Sequence, residues 1–211
     1  MLNKVTTITE NLVKDCSTDI EKMEKIYLFV RDEIVFDMMS GMLVSSDEVL
    51  TMGRGSCMNK AVLLKDMAKA AGIPSRLHFM EVRKEALEDL LHPGAYKLWP
   101  DSFLHTYPEV RLSDEWVSME ATFDAPLHEK LLEKRLNFGK HEERRNNSIE
   151  FSSKGVVGAQ QGTAVEGAEP IFADDLLPLK RHLKEVPDWL AEMVPYLCDI
   201  SSKWVREKVR S

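Results

Sequence analysis

Cys57, His105 and Glu120 are the residues whose types and order suit covalent chemistry, and they lie 48 and 15 positions apart in a chain of 211. Attack on a carbonyl carbon by sulfur needs a thiolate, an imidazole that activates it and returns a proton, and a third group that orients the ring. Cys57 follows Gly53-Arg54-Gly55-Ser56. The glycines allow a tight turn, Ser56 is a good helix cap, and a helical pattern begins at the cysteine. Unsatisfied N–H groups and the positive end of the helix dipole favour a thiolate at such a place. The plain alternative is a small apolar residue opening a core helix.

The elements that must position these groups follow from periodicity. Val62, Leu63, Met67, Ala70 and Ala71 recur at helical steps, Lys60, Lys65, Asp66 and Lys69 fall mostly elsewhere on the wheel, and Gly72 and Pro74 stop the helix. The alternating run SRLHFMEV then predicts a strand, in which His78 is read as a strand residue without chemistry. SFLHTYPEVRL and EWVSMEAT predict two strands joined by the two-residue loop Ser113-Asp114. That register sets His105 opposite Thr122 and makes Glu120 its diagonal neighbour on the same face. Pro108 has no N–H to donate, so this strand is an edge there or carries a bulge.

Other motifs fail on inspection. Gly55-Ser56-Cys57-Met58-Asn59-Lys60 lacks the Gly-Lys-Ser/Thr end of a phosphate loop. His128-Glu129 and His141-Glu142 lack the second histidine of a zinc motif, which Leu132 and Arg145 replace. Cys16, Cys57 and Cys198 form no close pair, so neither a disulfide framework nor a cysteine zinc site is expected. Asn146-Asn147-Ser148 is a chance glycosylation pattern. No cofactor or metal is expected.

The net charge of −7 gives no general attraction to nucleic acid or anionic membrane. No apolar run reaches a membrane span, and the opening MLNKVTTITE lacks a signal-peptide core, so a cytoplasmic protein is expected. Residues 1–16 read as a weakly patterned lead-in. Ile20, Met23, Tyr27, Val30 and Ile34 predict an amphipathic helix from a cap at Thr18, and Ser45 with Glu48 predicts a capping box before a short helix. Residues 84–101 read as an acidic helix followed by turns, with Tyr96 and Trp99 in a small satellite core. Beyond Phe123 a charged helical connector leads to a glycine-rich loop or flap over 152–168. Pro170, Pro178, Pro187 and Pro195 divide the remainder into short helices, the last with a packing face of Trp189, Leu190, Val194, Leu197, Cys198, Ile200 and Trp204.

The glycine turn into Cys57, the helix ending Ala71-Gly72-Ile73-Pro74-Ser75-Arg76, the strand His105-x-Tyr107-x-Glu109 and the strand Trp116-x3-Glu120-x-Thr122 together resemble the transglutaminase-like superfamily, from about Ile20 to Asp124. The resemblance implies an α+β, papain-like core in which the cysteine helix packs on an antiparallel sheet. The core is expected over 1–127, with 128–211, which matches nothing in the family pattern, a connector, Gly-rich loop and helical extension packed on it. The resemblance also implies a Cys57-His105-Glu120 triad acting on a peptide or other amide through a thioester, with hydrolysis favoured over cross-linking. Two features depart from the family pattern. Its usual aspartate is Glu120 here, and no tryptophan or glutamine precedes Cys57 as an oxyanion donor. The alternatives are a thioester-dependent acyltransferase and a catalytically silent binding or scaffold protein. Oligomeric state is left open.

Overall fold

A computed structural model describes residues 3–38, 44–88, 90–133, 165, 167–182, 184 and 186–211. The fold is α+β. Helix α1 (Lys4–Val13) and α2 (Asp19–Leu28) are followed by a π-helical turn (Phe29–Glu33), strand β1 (Val35–Phe36), α3 (Ser46–Met52), β2 (Arg54–Gly55) and α4 (Cys57–Ala70). Then come β3 (Ser75–Arg83), a 3-10 turn (Lys84–Leu87), α5 (Pro93–Leu98), β4 (Ser102–Leu112), β5 (Glu115–Ser118) and α6 (Ala125–Glu133). The chain closes with β6 (Ile171–Ala173), α7 (Leu177–His182), α8 (Asp188–Trp204) and a second π-helical turn (Val205–Val209).

Four strands form an antiparallel sheet in the order β5-β4-β3-β6, and β1 pairs in parallel with β2. The tight turn at Ser113 and Asp114 pairs Leu112 with Glu115 and Glu109 with Ser118, the register that a two-residue loop requires. Both loop residues have positive φ, 48° and 69°. Met119 N still donates to Pro108 O, but proline returns no N–H, and regular pairing ends there.

Helix α4 is the central element. Leu63, Leu64 and Met67 pack with Met23, Ile26 and Val30 of the α2 region and with Val110, Leu112 and Val117 of the sheet. Burying each such side chain stabilises the fold by about 1.5–3 kcal/mol. Met58 and Ala61 pack instead on Leu77, Phe79 and Leu179. A third cluster joins Phe36, Met38, Leu90, Leu91, Phe123 and Leu127 to Leu190, Leu197, Val205 and Val209, with Tyr96 and Trp99 packed against it. These two aromatics thus line a cluster larger than the small satellite core expected for them.

Several expectations change. The lead-in is helix α1: Asn3 caps it, Asp47 accepts from Val5 N at 3.0 Å, and Val5, Ile8 and Leu12 join the core. The turns after His92 contain α5, which proline opens at its first position. Pro195 lies inside α8 without ending it. On α8, Leu190, Leu197 and Cys198 are buried and Val194 and Trp204 half-buried, but Trp189 (56% exposed) and Ile200 face outward. Lys60 and Lys65 are buried, not surface residues of α4. Most of the charged connector and of the 152–168 loop lies outside the described residues. Among the described residues no helix is long and apolar enough to cross a membrane.

Candidate active site

The site is assembled where α4 begins. Gly53 ends α3 at φ 62°, and β2 carries the chain beside β1. Ser56 then caps α4, its hydroxyl accepting from Asn59 N while the Asn59 side chain bonds back to Ser56. A Cβ at Gly55 would lie 2.9 Å from the Cβ of Asn59, so only glycine lets the turn pass this close to the helix. The result is Cys57 as the first residue of α4, partly exposed to solvent.

The structure brings all three candidate residues together. His105, on β4, is 2% exposed and close enough to Cys57 for the thiol to bear on its protonation. Its Nε2 lies 3.2 Å from Glu120 Oε1. The carboxylate sits off the ring N–H direction, so the contact has the character of an ion pair more than of an aligned hydrogen bond. Glu120 is held in turn by Thr122, whose hydroxyl donates to Oε1 at 3.0 Å, and by Tyr27, whose hydroxyl donates to the Glu120 carbonyl at 3.0 Å.

Electrostatics favour a charged imidazole. Burial, the largest influence on His105, opposes its charge, but the negative Glu120 carboxylate and the nearby Cys57 thiol outweigh it and raise the pKa to about 10. Cys198 behaves in the opposite way: burial first, then the charges at Asp199 and Cys57, push its thiol up to about 12. Asp124 lies four residues beyond Glu120 but is committed elsewhere, accepting from Phe36 N at 2.9 Å and from both terminal nitrogens of Arg210 at 2.8 and 2.7 Å.

Sequence reasoning overlooked a neighbour of the nucleophile. Lys60, one turn along α4 and 1% exposed, donates to Arg31 O at 3.0 Å and Ile34 O at 2.6 Å. Its burial outweighs the nearby carboxylates of Asp124 and Asp32 and lowers its pKa to about 7. The signal was present: Lys60, Leu63, Leu64 and Met67 share one helical stripe. His78 is no part of the site. Its Nδ1 lies 3.1 Å from Glu109, and its ring packs on Tyr107 and Phe172.

The model of the transglutaminase-like superfamily matches residues 6–121, more than half of the chain and the stretch within which Cys57, His105 and Glu120 lie. The chain belongs to this superfamily. No curated protein matches the sequence. Among solved structures, a candidate cysteine protease from Cytophaga hutchinsonii is similar at 20% identity and a TM-score of 0.42, over 59% of this chain and 38% of its own. A candidate protease from Parabacteroides distasonis is similar at 16% identity and a TM-score of 0.43, over 56% of this chain and 23% of its own. This superfamily member therefore spans well under half the length of either.

Proposed function

We propose that the protein is a cysteine-dependent amide hydrolase or acyltransferase working through a thioester. The placement of Cys57 at the start of a helix, near a buried His105 imidazole that lies 3.2 Å from the Glu120 carboxylate, carries the reading. The sulfur of Cys57 attacks the amide carbon, and the backbone N–H of Cys57 donates to the developing oxyanion. The C–N bond breaks as His105 gives its proton to the departing amine. Acylation removes the sulfur's share in holding that proton, which moves the imidazole toward the base form. Water then gives a proton to His105 as it attacks the thioester, the C–S bond breaks, and the acid and free Cys57 are released. An amine in place of water gives transfer. Family membership favours hydrolysis of a peptide-like amide. In this reading residues 1–127 are the catalytic core and 128–211 an extension packed on it.

A peptide vinyl sulfone, read by intact mass and peptide mapping, tests the proposal. One adduct on Cys57 is expected, absent in Cys57→Ala and strongly slowed in His105→Ala. A folded protein that takes up no adduct at Cys57 and cleaves no member of a peptide-amide panel would overturn it.

A further inference from the structure

Three residues of the last helical stretch, spaced four apart, grip one short segment of chain. Ser202 Oγ donates to Met38 O at 2.7 Å, Arg206 Nη1 lies 3.2 Å from Asp37 Oδ2, and Arg210 Nη2 donates to Phe36 O at 3.2 Å. Arg210 also makes its two parallel bonds to Asp124, whose side chain is 3% exposed against 21% for the arginine. Paired guanidinium–carboxylate bonds are among the strongest and most directional polar contacts in proteins. The π-helical turn that carries Arg206 closes with Arg210 N donating to Val205 O at 2.9 Å, a rare geometry often found at functional sites.

The gripped segment borders the nucleophile. Val35 N donates to Gly53 O at 3.0 Å and Asp37 N to Gly55 O at 3.1 Å, two residues before Cys57. On its other side Phe36 N meets Asp124, in the stretch that leaves Glu120. Residues 36–38 therefore stand between the turn that delivers the thiol and the stretch that delivers the acid.

We infer that the C-terminal helix is a working part of the cysteine site: Ser202, Arg206 and Arg210 are positioning residues that fix segment 36–38 and Asp124, and through them the placement of Cys57 against His105 and Glu120. The inference rests on the cysteine-nucleophile reading above. It makes the site depend on residues outside the stretch matched by the family model.

The test is the rate of Cys57 alkylation by iodoacetamide across pH 6–9, followed by peptide mapping, with near-UV circular dichroism reporting the fold. Wild type against His105→Ala comes first, and no difference between them overturns the nucleophile reading and this inference together. With that difference present, folded Arg210→Gln should react about ten- to a hundredfold more slowly at pH 6, as expected for a misplacement on the scale of an ångström. The midpoint of its pH profile should also move toward that of His105→Ala, which a uniform loss of stability would not cause. Arg210→Lys should recover part of the rate, since it keeps the charge but not the planar fork. A folded Arg210→Gln with the wild-type rate and profile overturns the inference and leaves the nucleophile reading standing. Should Arg210→Gln unfold, Ser202→Ala, which removes one hydrogen bond, decides the matter: slower alkylation supports the inference and an unchanged rate overturns it.

Discussion

At the scale of single residues, two buried groups, His105 on β4 and Lys60 on α4, have opposite linkage to pH. His105 is raised to about 10 in the folded chain, so its contribution is full below pH 6.5 and declines as pH rises through 10. Lys60 is lowered to about 7, so its protonation opposes folding below that pH, and stability from this group grows as pH rises from 7 toward 10.5. The two trends largely cancel in the wild type. Urea unfolding at several pH values should show Lys60→Met losing stability more steeply than wild type between pH 7 and 10, and His105→Ala gaining it. Parallel profiles for all three proteins would contradict these assignments. The acid next to the imidazole gives a second expectation. Glu120→Gln should lower turnover of a peptide amide by about 10²–10⁴-fold with the fold intact, as for other groups that orient a catalytic imidazole. Glu120→Asp should retain much of it, because it keeps the charge. Full activity in Glu120→Gln would show that His105 needs no carboxylate there.

At the scale of elements, both devices that present the site are turns. The Gly55 turn admits no Cβ, so Gly55→Ala should force β2 away from α4, destabilise the protein by about 1–3 kcal/mol and slow Cys57 alkylation. Loss of stability without any change in alkylation would mean that the cysteine tolerates movement of the turn. The hairpin between β4 and β5 is built on two residues in left-handed conformation, neither of them glycine. Replacing Ser113-Asp114 by Asn-Gly should relieve about 1 kcal/mol of that strain and raise the melting temperature without affecting the site.

At the scale of the whole molecule, one of the three apolar clusters is completed from the far end of the chain. Phe36, Met38, Leu90, Leu91, Phe123 and Leu127 find partners in Leu190, Leu197, Val205 and Val209, and β6 adds a strand beside β3. Residues 1–127 expressed alone would expose those side chains as a contiguous apolar patch. Such a fragment is expected to aggregate or to lack near-UV ellipticity. A monomeric, native-like fragment on size-exclusion chromatography would show that the extension is dispensable for folding.

Local sequence determined a large share of this protein. Hydrogen bonds within three or four residues define the caps at Thr18, Ser45 and Ser56, and a two-residue loop leaves one register for β4 against β5. Those local rules set Cys57 at a helix start and put His105 and Glu120 on neighbouring stretches, which is why they were legible as candidates. Tertiary structure decided the rest. Helix α1 has weak intrinsic propensity but is anchored by Asp47, more than forty residues away, and Pro195 survives inside α8 because packing of Leu190, Leu197 and Cys198 outweighs the missing bond. Lys60 is buried because two backbone carbonyls of the α2 region close over it, and Arg210 meets Asp124 across 86 positions. A contact such as that of Arg210 with Asp124 leaves no periodicity in the sequence. Its energy exists only once the layers have packed.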